Sequence, residues 1–335
     1  MPLHRRCAAL CLPALLAFPA VAQAEPFKDR VISGALAHAS QVQGKTHSYA
    51  TADGTLIPVT LASSYKGDPA VAQTYATFLG TLPHGSELAS LKVTVVPSSE
   101  VAKDCGGKPS DGILACYGSN DQTMIAPGDQ PADSSVSVDY VIAHEYGHHI
   151  AAHRSNAPLA ALDFGPKRWS SYELVCSNTI DGKLAPGDQG ANYLSNPGEA
   201  WAESYARLVF PLEAWRFTPL LKPTPGSALA AAADVAEPWA KRVSTTFTGK
   251  ATHTFKLPIT LDGAFTLQLD GPAKANYDLV LRSGGKTVEK TTRKDSRDRI
   301  DYPIACRDRR NETLSITVLK RSGSGPYTLT AKYAG

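Results

Sequence analysis

The stretch Val141-Ile142-Ala143-His144-Glu145-Tyr146-Gly147-His148-His149 decides how the rest of the chain is read. His144 and His148 stand four residues apart, with a glutamate directly after the first. On a helix that spacing puts both imidazoles on one face, one turn apart, where they can reach a single ion. Glu145 then points toward the coordination position the protein leaves open, placed to take the proton of a water. Val136, Val138, Val141 and Ile142 bury the helix ahead of the motif, and Gly147 permits close approach of a neighbouring backbone. The pattern predicts a helix of about twenty residues opening at Asp133-Ser134. His149 and His153 fall off the metal-facing side and are not expected as ligands.

A hydrolytic zinc site needs a third protein ligand and one open position. One class of zinc hydrolase takes a third histidine six residues past the second, with a glycine midway; here Arg154 and Ala151 hold those positions, which excludes it. Among the downstream acids, Glu199 and Glu203 sit one turn apart in Asn196-Pro197-Gly198-Glu199-Ala200-Trp201-Ala202-Glu203. Glu199 is the expected ligand, and Glu203 the expected hydrogen-bond acceptor that fixes the tautomer of a ligand histidine. Read locally, Asn196 and Glu199 also match a capping box, and Glu203 a solvated helix face.

With both segments in view, H-E-Y-G-H followed by N-P-G-E-A-W-A-E resembles the gluzincins, zinc metallopeptidases with two histidines and a glutamate on a later helix. The resemblance spans residues 68–210. It implies a zincin-like catalytic domain, with an active-site helix behind a small sheet whose edge strand aligns peptide substrate. It further implies Zn2+ held by His144, His148 and Glu199, with Glu145 as general base. In the branch that includes the anthrax lethal factor protease, a tyrosine shortly before the ligand glutamate lies near the metal. Tyr193 matches it with slightly different spacing and is the expected donor to the transition-state oxyanion. Gln122–Ala126 is the expected edge strand. The function so implied is zinc metalloendopeptidase, acting on protein or peptide. The alternatives are a zinc hydrolase of cell-wall amides, and a binding or adhesion protein whose metal is structural. The intact Glu145 argues against the latter.

The flanks of the motif supply the rest. Residues 1–24 read as a signal peptide: basic His4-Arg5-Arg6, an apolar run from Cys7 to Val21, and Ala22-Gln23-Ala24 before Glu25. A secreted or periplasmic protein is expected, with no membrane attachment after cleavage. Removing the leader lowers Lys+Arg from 34 to 32 against 31 Asp+Glu, a net charge of +1. That balance gives no reason to expect nucleic acid as a partner, and a monomer is expected. Cys105, Cys116, Cys176 and Cys306 remain, an even number that suggests disulfides in an exported chain. Cys105 and Cys116 bracket a Gly/Pro-rich loop as the natural local pair, which leaves Cys176 with Cys306. Residues 25–65 read as a short helix and then a hairpin turning at Asp53-Gly54. From residue 246 onward, short alternating segments separated by Gly, Asp and Pro turns read as an antiparallel β-sandwich. That segment resembles the bacterial pre-peptidase C-terminal domain through Tyr277-Asp-Leu-Val-Leu and Gly325-Pro-Tyr-Thr-Leu-Thr. The expected fold is thus α+β: signal 1–24, zincin-like catalytic domain 25–245 and all-β sandwich 246–335.

Overall fold

A computed structural model of the protein describes residues 28–32, 42–131, 134 and 136–335; the leader lies outside them. The described chain is α+β, with one mixed and two antiparallel sheets. The first part runs β1 (Lys28–Ile32), β2 (Gly44–Ala50), β3 (Leu56–Ala62), α1 (Val71–Leu79), β4 (Lys92–Val96), α2 (Ser98–Asp104), β5 (Ile113–Gly118) and β6 (Thr123–Pro127). It continues with α3 (Val138–Ala152), α4 (Ala161–Phe164), α5 (Lys167–Tyr172), α6 (Val175–Ile180), α7 (Pro197–Ala206) and α8 (Pro225–Ala236). The six strands form one sheet in the order β1-β5-β6-β4-β3-β2. Both faces of its centre are covered, so the strands read as near-continuous apolar runs. Val93, Val95, Tyr117, Met124 and Ala126 join the core beneath α1 and α3. Val96, Cys116 and Ile125 face the opposite way, with Val101 and Ala102 of α2.

Three expectations change here. Residues 28–32 are a strand, paired in parallel with β5, not part of a helix. The segment expected to form the substrate edge, Gln122–Ala126, contributes β6, which lies inside the sheet between β5 and β4; the edges are β1 and β2. Strand order is fixed by pairing over long sequence separations, which local alternation does not report. Finally, α3 is 15 residues long and starts at a Ser137 cap, whose hydroxyl accepts from Tyr140 N. The helix is buried through most of its length, from Tyr140 to Ala151.

The remaining strands are β7 (Arg242–Gly249), β8 (His253–Ile259), β9 (Gly263–Asp270), β10 (Asn276–Ser283), β11 (Lys286–Lys290), β12 (Arg299–Ala305), β13 (Glu312–Ser322) and β14 (Tyr327–Ala334). They make two antiparallel sheets, β11-β10-β13-β8 and β12-β9-β14-β7. Alternate residues point into one core: Leu267 and Leu269 of β9, Leu279 and Leu281 of β10, Ile316 and Val318 of β13, Leu329 and Ala331 of β14. β7, whose first residues lie ahead of position 246, pairs with β14 along its whole length. Its alternation is masked by Ser and Thr, and β12 carries a proline, so neither stood out in the sequence.

The two apolar clusters are joined by a polar seam. Lys167, fully buried, donates from Nζ to the carbonyls of Asn156 (3.0 Å), Ala157 (2.8 Å) and Asp262 (3.0 Å). Arg307 reaches the Ser171 carbonyl and the Asp262 carboxylate. Both disulfides expected from the sequence are formed: Cys105–Cys116 closes the glycine-rich loop against β5, and Cys176–Cys306 crosses the seam. Among the described residues, no helix is long and apolar enough to cross a membrane.

Candidate metal centre

The site forms where α3 and α7 touch, and glycine and alanine set that approach. A Cβ on Gly147 would lie 2.8 Å from Ala202 Cα, so only glycine lets the helices come this close. Trp201 Nε1 donates to the Gly147 carbonyl at 2.8 Å and fixes the register. Asn196 caps α7, its side chain accepting from Gly198 N at 2.9 Å. Pro197 at the first helical position needs no hydrogen bond there. With its backbone so placed, Glu199 turns its carboxylate to the histidines rather than back to the cap. Oε2 stands 3.5 Å from His144 Nε2 and 3.2 Å from His148 Nε2. Oε1 accepts from Gln189 Nε2 at 2.5 Å.

Glu203, one turn on, meets the other side of His144. Its Oε2 lies 3.3 Å from Nδ1, and its Oε1 accepts from Arg216 Nη1 at 3.2 Å. An acid accepting from Nδ1 leaves the Nε2 lone pair for an ion. The ring of His144 stacks on Phe217.

A fourth donor comes from a place sequence reading did not single out. Asp29 of β1 directs Oδ2 to His148 Nε2 at 3.0 Å and to His144 Nε2 at 3.4 Å. Its Oδ1 accepts from the Tyr193 hydroxyl. Donor atoms of Asp29, His144, His148 and Glu199 lie within 4.8 Å of one another, all buried. Four nitrogen and oxygen donors at 2.0–2.1 Å from a tetrahedral zinc stand about 3.3 Å apart. The His–carboxylate separations here, 3.0 to 3.5 Å, match that spacing. Two imidazoles and two carboxylates therefore form a group that could hold a divalent metal ion.

The electrostatics match that donor set. Burial pushes both imidazoles down, but the facing acids reverse it, holding His148 at about 9 and His144 well above its ordinary value. Burial pushes the Asp29 carboxyl up; the charges and hydrogen bonds of His144 and His148 outweigh it and keep that group well below its usual range. The acids favour positive charge between them, and a metal ion bound there would displace protons from the imidazoles. Glu145 differs. Burial, with the Asp29 charge adding to it, lifts its carboxyl well above the ordinary value, although His148 and His144 oppose the shift. Both its oxygens are buried without a hydrogen-bond partner.

His149 and His153 point elsewhere. His149 accepts at Nδ1 from the Tyr117 hydroxyl (2.9 Å) and donates from Nε2 to the Glu87 carbonyl (2.9 Å). His153 contacts the His149 carbonyl and Ser90. Arg154, where the excluded class has its third histidine, pairs with Glu87 at 2.9 Å and donates to the carbonyls of Asp234 and Val235. It ties the end of α3 to α8.

Asp29, Gln189 and Arg216 were not found from the sequence. Asp29 is a single acid in a short segment with no spacing to mark it. Gln189 and Arg216 lie outside regular helices and strands.

No family model matches the chain, and no curated protein matches it. Among solved structures, a chain of the disulfide-linked pili formed by Bacillus endospore appendages aligns with 28% of this chain and 91% of its own length. The identity is 14% and the TM-score 0.16, a level of likeness that carries no argument.

Proposed function

We propose that the protein is a secreted zinc-dependent metallopeptidase of gluzincin type, with a sandwich of the kind that accompanies exported peptidases. The observation that carries this reading is Glu145. A carboxylate wholly buried beside two histidines, with no partner for either oxygen, is costly to fold around. A structural metal site has no use for it, whereas a hydrolytic site needs a base there. Zinc fits the donor set; when bound it lowers the pKa of water toward ~7 and polarises a carbonyl.

The protein's own residues supply the remaining steps. Glu145 takes the proton of the attacking water and passes it to the leaving amine. The Tyr193 hydroxyl donates to the oxygen that gains charge at the scissile carbon. Glu203, held by Arg216, keeps His144 in the tautomer with Nε2 free. Gln189 orients Glu199 through Oε1.

One observation favours a second reading. With Asp29 counted, four protein donors are present, as in closed structural sites. A binding protein with a structural metal is therefore the rival. The test is zinc stoichiometry together with cleavage of a peptide library, with and without 1,10-phenanthroline. Expected are one zinc per chain and cleavage that stops with chelator and returns with zinc. Cleavage by metal-free protein would overturn the reading, and a full zinc site with no cleavage of any peptide would favour the rival.

A further inference from the structure

β1 is an unusual strand for one at a sheet edge. Of its five side chains only Asp29 is buried; Lys28 is exposed, and Arg30, Val31 and Ile32 are half-covered. An edge strand is ordinarily held by an apolar face; this one buries a carboxylate and packs only the half-covered Ile32 on the cluster around α2. The register explains how. Lys28 pairs with Ile113 and Arg30 with Cys116, so the ladder shifts at Asp29. Such irregularities re-aim a side chain, and this one aims the acid at His144 and His148.

The strand also lines the site through Asp29. His144, Glu145, His148 and Glu199 have no exposed surface, while Asp29 and Tyr193 keep 5% and 9%. Among the residues at the centre, Asp29 of β1 and Tyr193 thus carry the little accessible surface there is. The Asp29 carboxylate faces the centre with one oxygen toward both imidazoles and the other on the Tyr193 hydroxyl. Those are the two contacts a peptide carbonyl needs as it is attacked: one oxygen at the ion, and a hydroxyl donor to the charge that develops.

We propose that Lys28–Ile32 occupies, within its own chain, the groove for an extended peptide. The outer edge of β5 pairs with substrate backbone, and Asp29 stands where the scissile group binds. This rests on the hydrolase reading above, and it makes β5 the aligning strand. Pairing through backbone hydrogen bonds selects an extended chain with little demand on side chains, so the substrate class is unfolded or loop polypeptide. The strand escapes cleavage because it presents a side-chain carboxylate to the centre, not an amide. It can leave because little apolar surface holds it. Besides its backbone pairing, its anchors are Asp29, Ile32 on the apolar cluster by α2, the Ser119 N to Ile32 carbonyl bond (3.1 Å) and Arg30, which donates to the Gly106 carbonyl at 2.9 Å beside the Cys105–Cys116 disulfide.

The test uses zinc-loaded full chains and a fluorescein-labelled peptide hydroxamate, which has a metal-binding head and an extended peptide body. Apparent affinity scales with the fraction of molecules whose groove is open. Asp29→Ala should keep its zinc and bind the probe at least about tenfold more tightly than wild type, with peptide cleavage rising alongside. Arg30→Ala should shift both in the same direction by less. If Asp29→Ala misfolds, Asp29→Asn keeps the volume and weakens the ligand, and the same shift is expected. Loss of zinc from the Asp29 variants would overturn the proposal, since Asp29 would then be a permanent ligand. Equal probe binding in wild type and variants would also overturn it while leaving the hydrolase reading intact. Tighter probe binding without cleavage of any peptide would support the occupied groove and count against the hydrolase reading.

Discussion

The lobe with the candidate metal centre and the β-sandwich bury polar groups in different ways. In the sandwich the core is apolar, and the buried acids each keep a partner: Asp262 has Arg307 at the seam, Asp278 has Arg321, Asp298 has Thr291 and Glu312 has Asp308 N. In the lobe the charges lie at the centre, around His144 and His148, and one carboxylate there has no partner. A buried polar group with its partner in place holds a structure together. A carboxylate with neither oxygen partnered, as in Glu145, costs stability and calls for a use. That difference points to Glu145 and away from the sandwich.

The largest separation between the regions should appear on cutting α7. Glu199→Ala removes one of the four candidate donors and, on the proposed reading, should leave a protein that does not retain zinc. Glu203→Ala, one turn away, removes only the acceptor for His144 Nδ1. It should keep zinc with affinity or turnover reduced about 10–100-fold. Zinc stoichiometry of the two purified variants checks this; a full site in Glu199→Ala beside an empty one in Glu203→Ala would reverse the roles.

In the sandwich a comparable cut should cost stability and nothing else. Ile316 is fully buried in the middle of β13, and Ile316→Ala should lower unfolding stability by about 2–5 kcal/mol. Zinc content per folded molecule should stay at the wild-type value. Urea unfolding with parallel metal analysis reads both, and zinc loss in folded Ile316→Ala would show that the regions are coupled.

A smaller effect separates the site from its structural neighbour on α3. His149 is pushed down to about 4 by burial, and it accepts from the Tyr117 hydroxyl only while neutral. Its native pKa lies below its unfolded value, so as pH falls below about 6.5 the unfolded chain gains a proton the native one refuses. Stability present above that pH is lost toward pH 4, by up to about 3 kcal/mol. His149→Gln should be less stable at pH 7, yet lose less on going to pH 4.5. Parallel slopes for the variant and wild type would contradict the assignment.

The same contrast explains what was legible in the sequence. Period-two runs such as Ala264–Leu269 gave most sandwich strands, because one face is buried; β7, rich in Thr, did not show it. The His144–His148 and Glu199–Glu203 pairs were legible because helical spacing is a local property. Asp29 was not, since its place depends on β1 pairing with β5 across about eighty residues of chain. Taking β6 for the edge was the same kind of miss. The capping-box reading of Glu199 failed because Asn196 caps α7 alone, which frees the glutamate for the histidines.

The central claim is that Glu145 serves as a base beside a metal, and one comparison tests it most directly. Wild type and Glu145→Gln, purified together and loaded with zinc, are assayed for metal content and for turnover of the same peptide library. Equal zinc in both and a fall in turnover of about 10²–10⁴ is the expected result. Equal turnover in the two proteins, or zinc lost with the substitution, would contradict it.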